Sequence, residues 1–124
     1  MIEDLRNKVV LVTGASTGIG AAVAEAFGRN AAKVAVHYNK SESEATEVFS
    51  KIKSFGSDSF LVQGDVSKPD ACIDIVSRTV KYFGSIDVVI NNAGGLIERK
   101  LVEDISIELF DNVINLNSRS ALLI

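Results

Sequence analysis

The sequence predicts an α/β fold: a doubly wound parallel sheet, present in part, with strand order 3-2-1-4. Three observations carry this reading. Short Val/Ile/Leu runs alternate with stretches of helical periodicity, the pattern of βαβ units joined by right-handed crossovers. The runs are continuously apolar, as expected of strands covered on both faces. A glycine-rich stretch, Thr13 to Gly20, joins the first run to the first helical segment. From strand three to strand one the chain moves one way across the sheet, and strand four then falls on the far side of strand one. That reversal is a topological switch point, and ligands bind outside the carboxyl ends of the strands there.

The elements follow in order. Strand one is Lys8 to Thr13, and helix one runs from Gly18 to Asn30 with Ile19, Val23, Ala26 and Phe27 on one face. Ala31 follows that helix, and Asn30 can take the left-handed conformation at its end. Strand two is Lys33 to Tyr38, alternating into Val34 and Val36. Helix two opens on Ser41-Glu42-Ser43-Glu44, which reads as a capping box with Ser41 as cap and Glu44 reaching back. Its apolar stripe is Ala45, Val48, Phe49, Ile52 and Phe55, and Gly56 closes it. Strand three is Ser59 to Gln63. Helix three starts near Ser67-Lys68-Pro69-Asp70, with proline in the first turn, where its missing N–H matters least. Ile73, Val76, Val80 and Phe83 form its expected buried stripe, and Gly84 ends it. Strand four is Asp87 to Asn91, and a last helix runs from Ser106 to the end.

Composition bounds the function classes. A chain of 124 residues is one domain, and 47% apolar residues with 23% charged residues is ordinary for a chain with a core. The net charge of −3 comes without any basic run, so a nucleic-acid surface has no electrostatic support. No apolar run approaches a membrane span, and the acidic start, Met1 to Leu5, lacks the apolar region of a signal peptide. The single cysteine, Cys72, permits no intrachain disulfide and no cysteine metal cluster, which suits a reducing cytoplasm. No metal site is expected. His37, the sole histidine, reads as a strand-end residue.

The chemistry centres on Thr13-Gly14-Ala15-Ser16-Thr17-Gly18-Ile19-Gly20. Glycines make the turn tight and let backbone N–H groups approach a ligand closely. The helix that follows aims its free N–H groups and positive dipole end at the same place, where a pyrophosphate fits. The spacing, G-x-x-x-G-x-G, has one residue more between the first two glycines than the G-x-G-x-x-G fingerprint. With Thr13 ahead, it resembles the cofactor loop of the short-chain dehydrogenase/reductase family, whose fold is of the Rossmann type.

Further motifs carry the resemblance along nearly the whole chain. Asn91-Asn92-Ala93-Gly94 after strand four resembles the family's second signature; its amide side chains can tie strand ends together, and Ala93 and Gly94 let a ligand lie against the backbone. Asp65-Val66 after strand three resembles the adenine-contacting pair, although Asp65 also reads as a turn cap. Asn115 resembles the asparagine of the catalytic tetrad, which helps to hold a water in a proton relay. The resemblance thus implies a cofactor site at Gly14, Ser16, Thr17, Gly18, Ile19, Tyr38, Asn39, Asp65, Val66, Asn91, Ala93 and Gly94, with Asn115 catalytic. It looks most like reductases of the 3-oxoacyl-carrier-protein reductase and glucose dehydrogenase type, which interconvert a small-molecule carbonyl and alcohol and are commonly tetramers.

The chain departs from the family in one respect that matters. The Tyr-x-x-x-Lys pair and the serine that act with it are absent: Glu42 and Ile86 stand four places after Tyr38 and Tyr82. Family members are roughly twice as long, with both halves of a dinucleotide fold. Residues 1–124 are therefore expected to be the dinucleotide-binding domain, cut before its catalytic segment and inactive alone, with a dimer or tetramer expected of the full-length protein. The competing readings are a non-catalytic dinucleotide-binding or regulatory module and a flavodoxin-like receiver, whose acidic cluster is not evident. For the cofactor, NADP(H) is favoured and NAD(H) possible. An acid about 20 residues past the glycines would bind the ribose of NAD, but no Asp or Glu occurs from Lys33 to Ser41. Asn39, Lys40 and Ser41 supply donors and one positive charge for a 2′-phosphate; Lys40 equally suits a solvated surface position.

Overall fold

A computed structural model of the chain describes residues 2–93. A short 3-10 turn, Glu3–Leu5, leads into β1 (Val9–Val12), α1 (Gly18–Arg29), β2 (Lys33–Tyr38), α2 (Glu42–Ser54), β3 (Ser59–Gln63), α3 (Pro69–Phe83) and β4 (Val88–Ile90). The four strands are parallel in the order β3-β2-β1-β4, as the alternation of strands and helices predicts. The helix expected from Ser106, together with Gly94 and Asn115, lies outside the described residues. None of the described helices is long and apolar enough to cross a membrane.

Register explains the two cores. Leu11 lies opposite Ala35 and Val89, and Val12 opposite Val36 and Ile90. Side chains alternate along a strand. Val10, Val12, Val34 and Val36 therefore share one face, where they pack with Ala24 of α1 and Ala45, Val48 and Ile52 of α2. Leu11, Ala35 and Val62 share the other, with Cys72 and Ile75 of α3. At the entry to the sheet, the Asp87 carboxylate accepts the Val9 N–H at 2.8 Å while the Asp87 N–H donates to the Val9 carbonyl at 2.9 Å. This side-chain link stands at the point where strand four was expected to begin.

Four local expectations are corrected. On α3 the buried residues are Cys72, Ile75 and Thr79, while Ile73 is 61% exposed and Val80 40% exposed. Val76 and Phe83 of the expected stripe are half-buried and pack against the core, but Ile73 and Val80 give way to Cys72 and Thr79, which hydrophobicity ranks lower. Cys72 and Thr79 can be buried because each satisfies itself locally: Sγ donates to the Val66 carbonyl at 3.2 Å and Oγ1 to the Ile75 carbonyl at 2.8 Å. Ile75 also lies over Gly64, where an added Cβ would be 2.9 Å from its Cδ1.

On α1, Gly20, Ala24 and Gly28 face the core, whereas Ile19 and Ala26 are exposed and Val23 and Phe27 half-buried. Small residues win there because α2 presses close: a Cβ at Gly28 would lie 2.9 Å from Ile52. The end of α1 is left-handed at Ala31 (φ 63°), not at Asn30 (φ −95°). Asn30 is instead held by its side chain, which donates to the Ala26 carbonyl and accepts the Ile2 N–H. Finally, Ser41 makes no side-chain cap bond to α2. Its φ of −87° and ψ of 61° depart from the extended backbone that aims an N-cap hydroxyl at the helix amides. Gly56 and Gly84 do close their helices at positive φ.

The register of α3 is testable. Ile75→Ala should destabilise the protein by about 2–5 kcal/mol, whereas Ile73→Ala should stay within about 0.5 kcal/mol. Urea unfolding of the two variants beside the wild type measures the contrast; equal losses would contradict the packing described.

Candidate dinucleotide site

The carboxyl ends of all four strands converge on one cleft of about 440 Å³. From the first loop come Gly14, Ser16 and Thr17; from the end of β2 come His37, Tyr38, Asn39, Lys40 and Ser41; Val66 follows β3, and Asn92 and Ala93 follow β4. Seven sequence-predicted residues thus share a wall: Gly14, Ser16, Thr17, Tyr38, Asn39, Val66 and Ala93. Gly18 and Ile19 begin α1 beside that wall, with Ile19 76% exposed. Asp65 and Asn91 are near it in sequence without lining it, and Asn91 is exposed.

The loop is built by hydrogen bonds to buried partners. Thr13, fully buried at the end of β1, accepts the N–H groups of Asn92 and Ala93 on its Oγ1, each at 3.0 Å. This fixes the turn after β4 against the end of β1. The Asn92 side-chain amide then donates to the Gly14 carbonyl at 2.9 Å, so the expected role of these asparagines in tying strand ends together holds for Asn92. A Cβ at Gly20 would collide with the Gly14 carbonyl and the Asn92 amide, and one at Gly14 would lie 2.9 Å from Ala93 Cα. Those two glycines are demanded by packing.

Gly18 differs. Its φ is +59°, and a Cβ there would meet nothing within 4 Å. The space over Gly18 is a cradle at the amino end of α1, where unpartnered helix N–H groups favour an anion. The residues present therefore fit a bound pyrophosphate: an open floor at Gly18 and a loop held rigidly beneath it.

His37 stands at the end of β2, as expected, and is also the functional-site residue that sequence reasoning left without a role. It is 1% exposed. The Gly14 N–H donates to its Nδ1 at 2.9 Å, and its Nε2 lies 2.8 Å from the Gly64 carbonyl. Nδ1 accepts, so the proton resides on Nε2, which donates to Gly64. Burial pushes the imidazole below its ordinary pKa, opposed by the Gly64 carbonyl and by Asp65; the ring is neutral at pH 7. The signal was available. If Val34 and Val36 point to one face of a doubly covered sheet, Ala35 and His37 point to the other, and a buried histidine there requires two partners.

Asp65 adopts the capping geometry. Its Oδ1 accepts the Ser67 hydroxyl at 2.7 Å and the Ser67 N–H at 3.0 Å. The Ser67 hydroxyl is the main cause that lowers the pKa of this carboxylate.

A doubly wound sheet with a glycine-rich loop at its switch point defines the Rossmann class. Comparison with known proteins gives the family: the short chain dehydrogenase profile matches residues 8–124, and the chain belongs to that family. It is 44% identical over 115 residues to versicolorin reductase stcU of Emericella nidulans, covering 93% of this chain and 43% of that protein. Among solved structures, the NADH-dependent reductase A1-R' complexed with NAD superposes with a TM-score of 0.93 at 36% identity, over 99% of this chain and 51% of the other. A short chain dehydrogenase from Burkholderia cenocepacia in complex with NADP gives 0.91 at 34% identity, over 96% and 48%. The chain thus spans about half the length, or less, of these relatives. Both nicotinamide dinucleotides occur among the structural neighbours, in keeping with a family that uses NAD(P)(H).

Thr13→Val should leave the Ala93 N–H without its acceptor and the Asn92 N–H with only the Ile90 carbonyl at 3.1 Å, destabilising the protein by roughly 1–3 kcal/mol. Thr13→Ser, which keeps the oxygen, should lose much less. Chemical unfolding of both variants distinguishes lost hydrogen bonding from lost packing.

Proposed function

We propose that residues 1–124 form the dinucleotide-binding, amino-terminal part of an NAD(P)(H)-dependent oxidoreductase that interconverts a carbonyl and an alcohol. The observation that carries this reading is the cradle at Gly18, open above and fixed below by Gly14, Gly20 and Asn92. In this reading Gly14, Ser16, Thr17, Gly18 and Ile19 hold the pyrophosphate. Tyr38 and Asn39 face the adenosine ribose, Asp65 and Val66 the adenine, and Asn91, Ala93 and Gly94 the path to the nicotinamide. Asn115 serves the proton relay. When bound, the dinucleotide supplies the hydride; this chain binds and orients it. The serine, tyrosine and lysine of the family's reaction belong to a segment beyond these residues, so this chain alone reduces nothing. Relatives named as reductases support the reductive direction. A 3-oxoacyl-carrier-protein reductase-like substrate remains the reading drawn from the motifs. A cytoplasmic dimer or tetramer is the state we expect of the full-length protein.

NADP(H) is the favoured cofactor. Tyr38, Asn39, Lys40 and Ser41 line the cleft with no carboxylate among them, so none of these four repels a 2′-phosphate. The Ser41 hydroxyl, not engaged in capping α2, and the Lys40 ammonium are donors suited to that phosphate.

Two measurements on the full-length protein test these readings. Gly18→Val should abolish dinucleotide binding by calorimetry, because valine would occupy the open cradle and is strained at positive φ; unchanged affinity would overturn the loop assignment. The ratio of kcat/KM for NADPH over NADH should exceed one in the wild type and fall at least tenfold in Tyr38→Asp, about 1.4 kcal/mol. A wild type that prefers NADH refutes the cofactor assignment.

A further inference from the structure

Gly14 is gripped through both of its backbone polar groups. Its carbonyl accepts from Asn92 at 2.9 Å, and its N–H donates to His37 Nδ1 at 2.9 Å. The same imidazole reaches the Gly64 carbonyl through Nε2 at 2.8 Å, and Gly64 in turn donates its N–H to the Tyr38 carbonyl at 3.0 Å. The His37 carbonyl accepts the Ala15 N–H at 2.8 Å. One residue thus joins the glycine loop, the end of β2 and the turn after β3, and it lines the cleft. Building on the dinucleotide-binding reading above, we propose that His37 is the positioning residue of the pyrophosphate loop: its neutral ring, protonated on Nε2 only, holds the Gly14 N–H in place, and a second proton on Nδ1 releases it.

The argument is one of donors and acceptors. The Gly14 N–H requires a lone pair on Nδ1. A proton added there places two donors face to face, so the loop loses its anchor and the amide is left unsatisfied. The titratable groups that the structure places beside the ring are Asp65 after β3, with Tyr38 and Lys40 at the end of β2 lining the same cleft. Asp65 favours the charged ring, whereas burial opposes it more strongly, so the ring is neutral at physiological pH. The sign follows. A histidine depressed in the folded protein contributes stability that is present above its unfolded pKa of about 6.5 and is lost as pH falls toward its folded value. The loop, and dinucleotide affinity with it, should weaken at still lower pH, as the ring in the folded protein takes its second proton on falling through the folded value.

The test is dinucleotide affinity against pH in the full-length protein. NAD+ is the probe, because it has no 2′-phosphate to titrate between pH 5 and 7. Wild-type Kd should be flat above pH 7 and rise on acidification, with a limiting slope of about tenfold per pH unit for one proton. In His37→Asn the side-chain oxygen takes the place of Nδ1 and cannot be protonated. This variant should keep most of the neutral-pH affinity and lose the acid limb. In His37→Gln the amide nitrogen takes the place of Nε2 but Nδ1 has no counterpart; binding should be about two- to tenfold weaker at every pH, the effect of one lost hydrogen bond. A wild-type profile that overlays that of His37→Asn overturns the inference. No binding of NAD+ or NADP+ by the wild type at pH 7.5 overturns the dinucleotide reading itself. Should either variant fail to fold, wild-type NMR decides: the Gly14 amide shift and the His37 ring nitrogens should titrate together, and independent titration refutes the coupling.

Discussion

The structure turns on one residue. Gly14 sits at φ +62°, with its N–H held by an imidazole, its carbonyl held by a carboxamide, and Ala93 against its Cα. His37 belongs to β2, whereas Asn92 and Ala93 follow β4, so Gly14 can be placed only when β1, β2 and β4 are already in register. Helix α1 then starts where it does because Gly20 tucks under the Gly14 carbonyl. Within one short motif, glycine serves two unrelated needs. At positions 14 and 20 it lets protein atoms approach one another; at position 18 it keeps a space clear. A sequence pattern of three glycines conceals that division.

Packing on the two faces of the sheet delivers the strand ends to this place. On one face, α1 and α2 lie close because their contact residues are small or interdigitate, as Gly28 does with Ile52. On the other, α3 descends on Leu11, Ala35 and Val62 through Ile75, and its hydroxyl and thiol are absorbed by the nearest carbonyls. A single sheet clamped from both sides leaves its strand ends as the natural concavity, and the cleft forms there.

Much of this was legible in the sequence. The strand positions, their order and the glycine turns at Gly56 and Gly84 were readable because apolar runs and positive-φ glycines are local signals. Seven of the proposed cofactor residues line one cleft for the same reason: strand ends are easy to find and the switch point brings them together. What could not be read depended on contact. Ile73 and Val80 outrank Cys72 and Thr79 on any hydrophobicity scale, but burial of α3 was decided by the shape over Gly64 and by self-satisfied polar groups. The Ser41–Glu44 pattern is a capping box in letters only, because the backbone at Ser41 departs from the extended conformation that a cap needs. Asn30 yields the left-handed position to Ala31 since its side chain is occupied elsewhere. His37 was passed over as a lone histidine near a strand end, although strand alternation alone demanded that it be buried and paired.

The kind of bond that holds the loop has a further consequence. Around Gly14 the links are neutral: amide to imidazole, carboxamide to carbonyl, amide to hydroxyl. The ion pairs among the described residues lie elsewhere, on exposed or half-exposed side chains such as Arg6–Glu3, Lys53–Asp58 and Arg78–Asp74. Dissolved ions screen charges and leave dipolar bonds in a dry interior nearly untouched. The cradle should therefore keep its shape from dilute buffer to strong brine, and any dependence of ligand capture on ionic strength would arise from the ligand's own charge meeting Lys40 and the helix end.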